Sequence, residues 1–455
     1  MKSQKLKLQA GLRLSIKMNS KYPLYFLILA LSSLLLGVIF GFVASLQYVY
    51  PELLKSTFPF IKLRPLHVTS GISWIILSAV GSIYFYLYKL QFYSVKLLRI
   101  HFVLYLLTGI SLYFSYVWGY MDGREYLAFT PVLIIPILIG WLLFGINFFK
   151  TLWSSIKNWP VYYWMWGTGI FFMMYHLSEA HFWLIEDFRL YFTKDMAVQW
   201  KSYGSFTGSW NMLVYGISIY VMSKIKGDDN MGRSNKVFFF YFLGLTNLMF
   251  GWAHHTYFLP TLPWIRYVAY IVSMSEWIVL ASIIYDWKRG IVASSSHKHY
   301  MAIRLMKTAD FWIFCNLILA LLISIPAINY YTHGTHITVA HSMGTTIGIN
   351  TTILFSSIYF IVGSLNEKYQ EMRLLNKLSI KLFNSALLVF LISLLIAGFK
   401  RSHWIHFSEN LPFSEMQDAQ SLVYILLSSS GIVLLVAIYL IAVPLLKNLI
   451  RLTNE

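Results

Sequence analysis

The chain has 455 residues, 58% of them hydrophobic and 18% aromatic, and only 12% are charged, which excludes an ordinary soluble domain. Its net charge of +18 is carried by Lys and Arg spread over several short connections, so the basic patch of a nucleic-acid-binding domain is excluded as well. The one cysteine, Cys315, lies inside an apolar stretch and rules out a disulfide framework, an iron–sulfur cluster and a covalently attached c-type haem, which needs Cys-x-x-Cys-His.

Stretches of about 20 apolar residues, long enough to cross a bilayer, are read in chain order at 24–48, 66–88, 101–121, 128–149, 160–185, 204–223, 237–256, 264–285, 309–330, 338–363, 379–399 and 421–446. They predict an all-α polytopic bundle of about 12 helices in membrane lipid, with residues 1–455 forming a single transmembrane domain. The first stretch is too long for the apolar part of a signal peptide and lacks a small-residue cleavage site after it, so it is expected to remain as a helix. No tandem repeat or low-complexity tract is visible, and the longest polar connections, 286–308 and 400–420, are too short for a soluble domain. Of the 36 Lys and Arg residues, 26 fall on the side shared by the two termini and 10 on the other. The positive-inside rule then places both termini in the cytoplasm of a bacterial-type inner membrane.

The histidines are unevenly placed in this topology. His67 opens the second stretch, His176 ends the fifth, His254 and His255 end the seventh, and His333, His336 and His341 lead into the tenth, all on the extracytoplasmic half. His101, His297 and His299 on the cytoplasmic side, and His403 and His406 in an outer connection, read as interfacial residues. Ionisable groups at membrane depth are costly and mark functional sites by default. Neutral imidazole is the commonest protein ligand for iron, copper and zinc, so a redox cofactor is the first reading. His341 and Met343 are two residues apart and point about 200° away from each other on a helix. One helix can therefore hold two haems, one on each face, and His67, from the second stretch, could then close the axial coordination on the Met343 side. The other reading of Met343 is core filling, the usual role of a membrane methionine. A haem with two protein ligands passes electrons, and one with a single His keeps an open site for a gas.

Four segments together resemble the catalytic subunit of nitric oxide reductase, within the haem–copper oxidase superfamily, over nearly the whole chain. LQYVYPELLKSTFPFIKLRPLH at 46–67 resembles the approach to the family's low-spin haem histidine, matching His67. GWAHHTYFLP at 251–260 is similar to the block that supplies two ligands of the non-haem metal, matching His254 and His255. SMSEWIVLAS at 273–282 resembles the segment with a glutamate near that metal, matching Glu276. YYTHGTHITVAHSMG at 330–344 is close to the Tyr-Thr-His-Gly-Thr signature, matching His341 to the high-spin haem ligand.

The departures from the family are specific. Its helix before the His-His block opens with His-Leu-Trp-Val-Glu-Gly-Val-Trp-Glu, and an ungapped register lays YGSFTGSWN, 203–211, over it. Tyr203 then stands at the third metal ligand, Thr207 and Asn211 at two glutamates, and Met343 at the second histidine of the low-spin haem. Either HLSEAHFWL at 176–184 repairs the metal site through His176, Glu179 or His181, or Tyr203 ligates weakly or leaves a position open. Alternatively HLSEAH is a hydrogen-bonded interfacial cap.

The resemblance implies two b-type haems, held by His67 with Met343 and by His341, and a non-haem iron or copper on His254 and His255. It implies reduction of a small gas, nitric oxide, between the high-spin haem and the second metal, with Glu276 moving protons and a cytochrome c subunit or other donor supplying electrons on the extracytoplasmic side. An oxygen-reducing relative is the first alternative; against it, the helix at 204–223 lacks the His-x-x-x-Tyr arrangement of the commonest oxidases. A non-catalytic haem protein that binds gas or relays electrons is the second. A transporter without cofactors is the bland remaining one.

Overall fold

A bilayer offers no hydrogen-bond partners, so a spanning chain must satisfy its backbone internally, and helices do this segment by segment. The computed structural model describes residues 21–88, 90, 92–272, 299–366, 373–408 and 411–455. Among the described residues all regular structure is helical, and besides short helical turns the long helices are α1 (Lys21–Leu46), α2 (Phe60–Leu87), α3 (Val95–Trp118), α4 (Ile134–Leu152), α5 (Val161–Glu179), α6 (Phe192–Lys226), α7 (Asn235–Phe250), α8 (Tyr300–Ser324), α9 (His336–Leu365), α10 (Arg373–Phe407) and α11 (Ser421–Asn454). Nine helical stretches among the described residues are long and apolar enough to cross a membrane; α5 and α6 are not among them. The eighth apolar stretch of the sequence, with Glu276, runs into 273–298 and lies largely outside the described residues.

Burial sorts the helices into inner and outer. In the most apolar part of α9, 89% of residues are buried within the protein, and in α2 72%, against 28% in α3. The helices α5 and α6 cross closely where glycines remove the intervening side chain: a Cβ on Gly169 would lie 2.7 Å from Leu213, and one on Gly216 2.6 Å from the Trp166 indole. Small residues permit such approach between membrane helices. An inner pair that meets protein rather than lipid tolerates the serines and tyrosines that lower its apolarity.

Helix α9 is irregular where it matters. Its N-terminus is capped by the Thr335 hydroxyl, which accepts from the Ile337 N–H at 3.2 Å, and the chain enters through Gly334 at φ +70°, a left-handed turn that favours glycine. The α-helix runs from His336 to Met343, a π-helical stretch occupies Gly344–Thr351, and α-helix resumes at Thr352. Trp74 on α2 donates its indole N–H to the Thr351 hydroxyl at 2.9 Å, and Ser357 on α9 bridges Ser82 and Tyr86 on α2 at 2.8 and 2.6 Å. These bonds fix the α2–α9 seam.

His101 corrects an expectation. It is not interfacial but fully buried, 3.0 Å from the Tyr84 hydroxyl and packed against Phe26, Tyr105 and Phe144. Its place in sequence near a helix end gave no hint that α1, α2 and α4 close over it.

Candidate metal and haem site

His254 and His255 do not continue α7. The helix ends at Phe250 and a tight 3-10 turn, Gly251–Thr256, carries both imidazoles with ring centroids 4.2 Å apart. In a 3-10 turn residues three apart eclipse one another, so Trp252 and His255 share a face. That face meets α6 at Gly204, where an added Cβ would lie 3.4 Å from Trp252 and 2.6 Å from the His255 ring. Gly208, one turn on, gives the same clearance to Leu248 of α7. The Gly204-x-x-x-Gly208 strip thus seats the histidine turn against α6.

Two further imidazoles lie in the neighbourhood of the pair, outside ligand-sharing distance of it. His341 of α9 and His333 of the preceding turn lie close enough to act electrostatically on both His254 and His255. His333 is placed by the Gly334 turn and by Phe258, whose ring centroid is 4.5 Å away, with Trp200 at 6.3 Å. Burial lowers the His333 pKa, which keeps this ring neutral with a lone pair available. Nδ1 of His254 and Nδ1 of His341 are buried and lack a hydrogen-bond partner of normal geometry among the described residues. Buried polar atoms left this way require an explanation, and ligation chemistry supplies one.

Across the bundle, His67 is oriented by α1. Its Nδ1–H donates to the Gly37 carbonyl at 2.8 Å, and its ring lies against Gly41, where a Cβ would come within 2.6 Å. Fixing Nδ1 as donor leaves the Nε2 lone pair free, the arrangement common behind metal-bound imidazole. Gly71, one turn along on the same face, borders open space: a Cβ there would meet nothing within 4 Å. Trp74, a further turn along that face, already touches Thr351. His341 and Met343 both fall in the regular α-helical part of α9, so their opposed facing holds.

Other expected ligands are not brought to the pair. Among the described residues, no three His, Cys, Asp or Glu side chains are grouped so that they could hold a metal ion. His176 is buried and its Nδ1–H lies 3.0 Å from Glu179, whose other oxygen pairs with Lys201; its Nε2 has no partner among the described residues. His181 donates to the Leu177 carbonyl at 2.8 Å. The Tyr203 hydroxyl is buried beside the outer connection, near the charges of Arg124 and Glu125 and with its ring against Tyr126, while its neighbour Gly204 is what meets His255. Thr207 bonds back to the Tyr203 carbonyl, and Asn211 accepts from Asn350 of the π stretch at 3.2 Å. Glu276 lies outside the described residues. The expectation from sequence grouped His333 with the outer histidines but gave it no role; the left-handed turn at Gly334 is the signal that bends it back.

The donors present fit the groups expected of them. His67 and His341 each offer an imidazole at membrane depth, the donor type a haem ligand requires, and open space borders Gly71 one turn from His67. His254 and His255, with ring centroids 4.2 Å apart, would provide two of the nitrogens of a non-haem metal site.

An all-helical membrane bundle with buried imidazoles on several helices is an arrangement suited to holding redox cofactors. The chain belongs to the family described as Cytochrome C and Quinol oxidase polypeptide I, whose pattern matches residues 21–433. It is thus a polytopic membrane oxidoreductase of the haem–copper oxidase subunit I family, whose members bind haems and a copper or iron centre. Its fold is similar to that in a cryo-EM structure of a heme-copper terminal oxidase dimer, with TM-score 0.68 and 12% identity over 98% of this chain and 84% of the other. A comparison with curated proteins finds no match.

Proposed function

We propose that this chain reduces nitric oxide: His67 and Met343 would hold a low-spin haem that supplies electrons, His341 a high-spin haem, and His254 and His255 a non-haem iron or copper. The approach of His341 to that pair is the observation that carries the reading. The bound metal supplies a Lewis acid for the negative charge that develops on the gas. The chain's residues hold and orient: Gly37 fixes the tautomer of His67, Gly204 seats His255, and the Gly334 turn presents His333 as the nearest further imidazole. Thr207 and Asn211 are engaged in hydrogen bonds and do not ionise at neutral pH, which leaves Glu276 as the acid–base group that the resemblance provides. The chain has no Cys-x-x-Cys-His motif, so a cytochrome c donor would be another chain; the reading has it, or another donor, deliver electrons on the extracytoplasmic side of an inner membrane, with both termini cytoplasmic by the positive-inside rule.

Dioxygen reduction is the second reading, favoured by the family's own description and by the terminal oxidase of similar fold. Purified protein with a chemical donor separates the two: nitric oxide is expected to be consumed faster than dioxygen, slowly in either case. Glu276→Gln should reduce the rate by an order of magnitude or more, the usual scale for a lost acid–base group. Elemental analysis should find a metal beyond the two haem irons, lost in His254→Ala. Faster consumption of dioxygen would replace the first reading by the second. Protein with full cofactors that is inert to both gases would leave a gas-binding or electron-relay role.

A further inference from the structure

The His254–His255 turn is held from its outer side by a charged assembly that nothing in the reading above uses. Lys201 is on α6 three residues before Gly204, so the two share a helix face. That face meets the turn: Gly204 against His255 and Trp252, and the Lys201 ammonium over the Trp252 ring at 6.0 Å from its centroid. On its other side the ammonium lies over the Tyr175 ring at 5.5 Å and is paired with Glu179. Glu179 is itself buried and held at its second oxygen by His176. The Trp252 indole N–H donates to the Met249 carbonyl at 2.7 Å, which fixes the ring that Lys201 covers. Because Trp252 and His255 eclipse each other on the 3-10 turn, a constraint on the first is a constraint on the second.

We propose that Lys201, braced by Glu179 and His176, is a positioning residue for His255: a clamp from α5 through α6 that sets the angle at which the two-histidine turn faces His341. This rests on the metal-site reading above, and it gives the HLSEAH segment a task other than ligation. A site with few ligands depends more on such a brace, since each donor must already point inward when the ion arrives.

The test uses the full-length protein purified with its haems, in four forms besides wild type: Lys201→Met, Glu179→Gln, the double variant, and Lys201→Arg. Two readouts are taken: the chelator concentration that strips half the non-haem metal, and the rate at which diethyl pyrocarbonate modifies His254 and His255, followed by mass spectrometry. The haem absorption spectrum reports that the bundle is intact. Lys201→Met and Glu179→Gln are each expected to weaken metal retention about tenfold, the lower end of the effect of an outer-shell partner, and to speed modification of His255. The double variant should be no worse than either single one, because the pair acts as a unit, and Lys201→Arg should restore both readouts. Wild-type retention and modification rates in Lys201→Met overturn the clamp, as does additivity in the double variant. Absence of any metal beyond the haems in wild type defeats the metal reading instead, and the modification rates still decide the clamp.

Discussion

At the scale of single residues the site is defined as much by glycines as by histidines. Gly41 lets the His67 ring lie flat on α1, Gly71 leaves room beside it, Gly204 admits His255, and Gly334 turns His333 inward. Met343 is the position that departs most usefully from the resemblance, because a thioether raises a haem's reduction potential relative to a second imidazole. Met343→His should therefore move the low-spin absorption spectrum toward that of a bis-His haem and lower its potential in a redox titration. Met343→Ala should convert that haem to high spin; an unchanged reduced spectrum and potential in this variant would show that Met343 only fills the core.

At the scale of elements, much of the architecture was legible because a bilayer allows few solutions. Apolar runs became helices, and imidazoles at membrane depth stood out against them. What escaped was whatever depends on packing across sequence-distant elements. The ungapped register put residues 203–211 at the level of the histidine pair, and α6 does pass there, but it presents Gly204 and not the Tyr203 hydroxyl. His176 looked like a spare ligand because the ammonium that engages its partner Glu179, Lys201, comes from another helix and cannot be paired by inspection of the chain. The π stretch in α9 was invisible too, since Gly344–Thr351 has no composition that separates it from an α-helix. Yet it decides the phase of the helix: Trp74 locks Thr351 on one side of it, and His341 and Met343 stand on the other. Inserting one alanine after Thr346 adds one residue's rotation, about 100°, to the outer segment relative to the locked half. The expected outcome is a folded helical protein, by circular dichroism, that has lost both haems; retention of both with normal spectra would show that the stretch carries no such role.

At the scale of the whole molecule, inner and outer helices divide the work. Those with exposed apolar faces, α3 and α4 among them, meet lipid, while α2, α6 and α9 hold the seam and the site. The two long helices that fall short in apolarity, α5 and α6, have a consequence for how the protein is made. A segment rich in Tyr, Trp, Ser and Gly gains little on leaving water for lipid by itself, so α5 and α6 depend on each other and on helices already in the membrane to stay there. Insertion of α1 to α4 can proceed one helix at a time, whereas α5 and α6 must wait for company, and the wall of the histidine site is assembled only then. A chain truncated just after α5 should accordingly show α5 untranslocated in a glycosylation-mapping assay, and extension through α7 should restore it. Equal insertion of both truncations would mean that α5 is held by lipid alone.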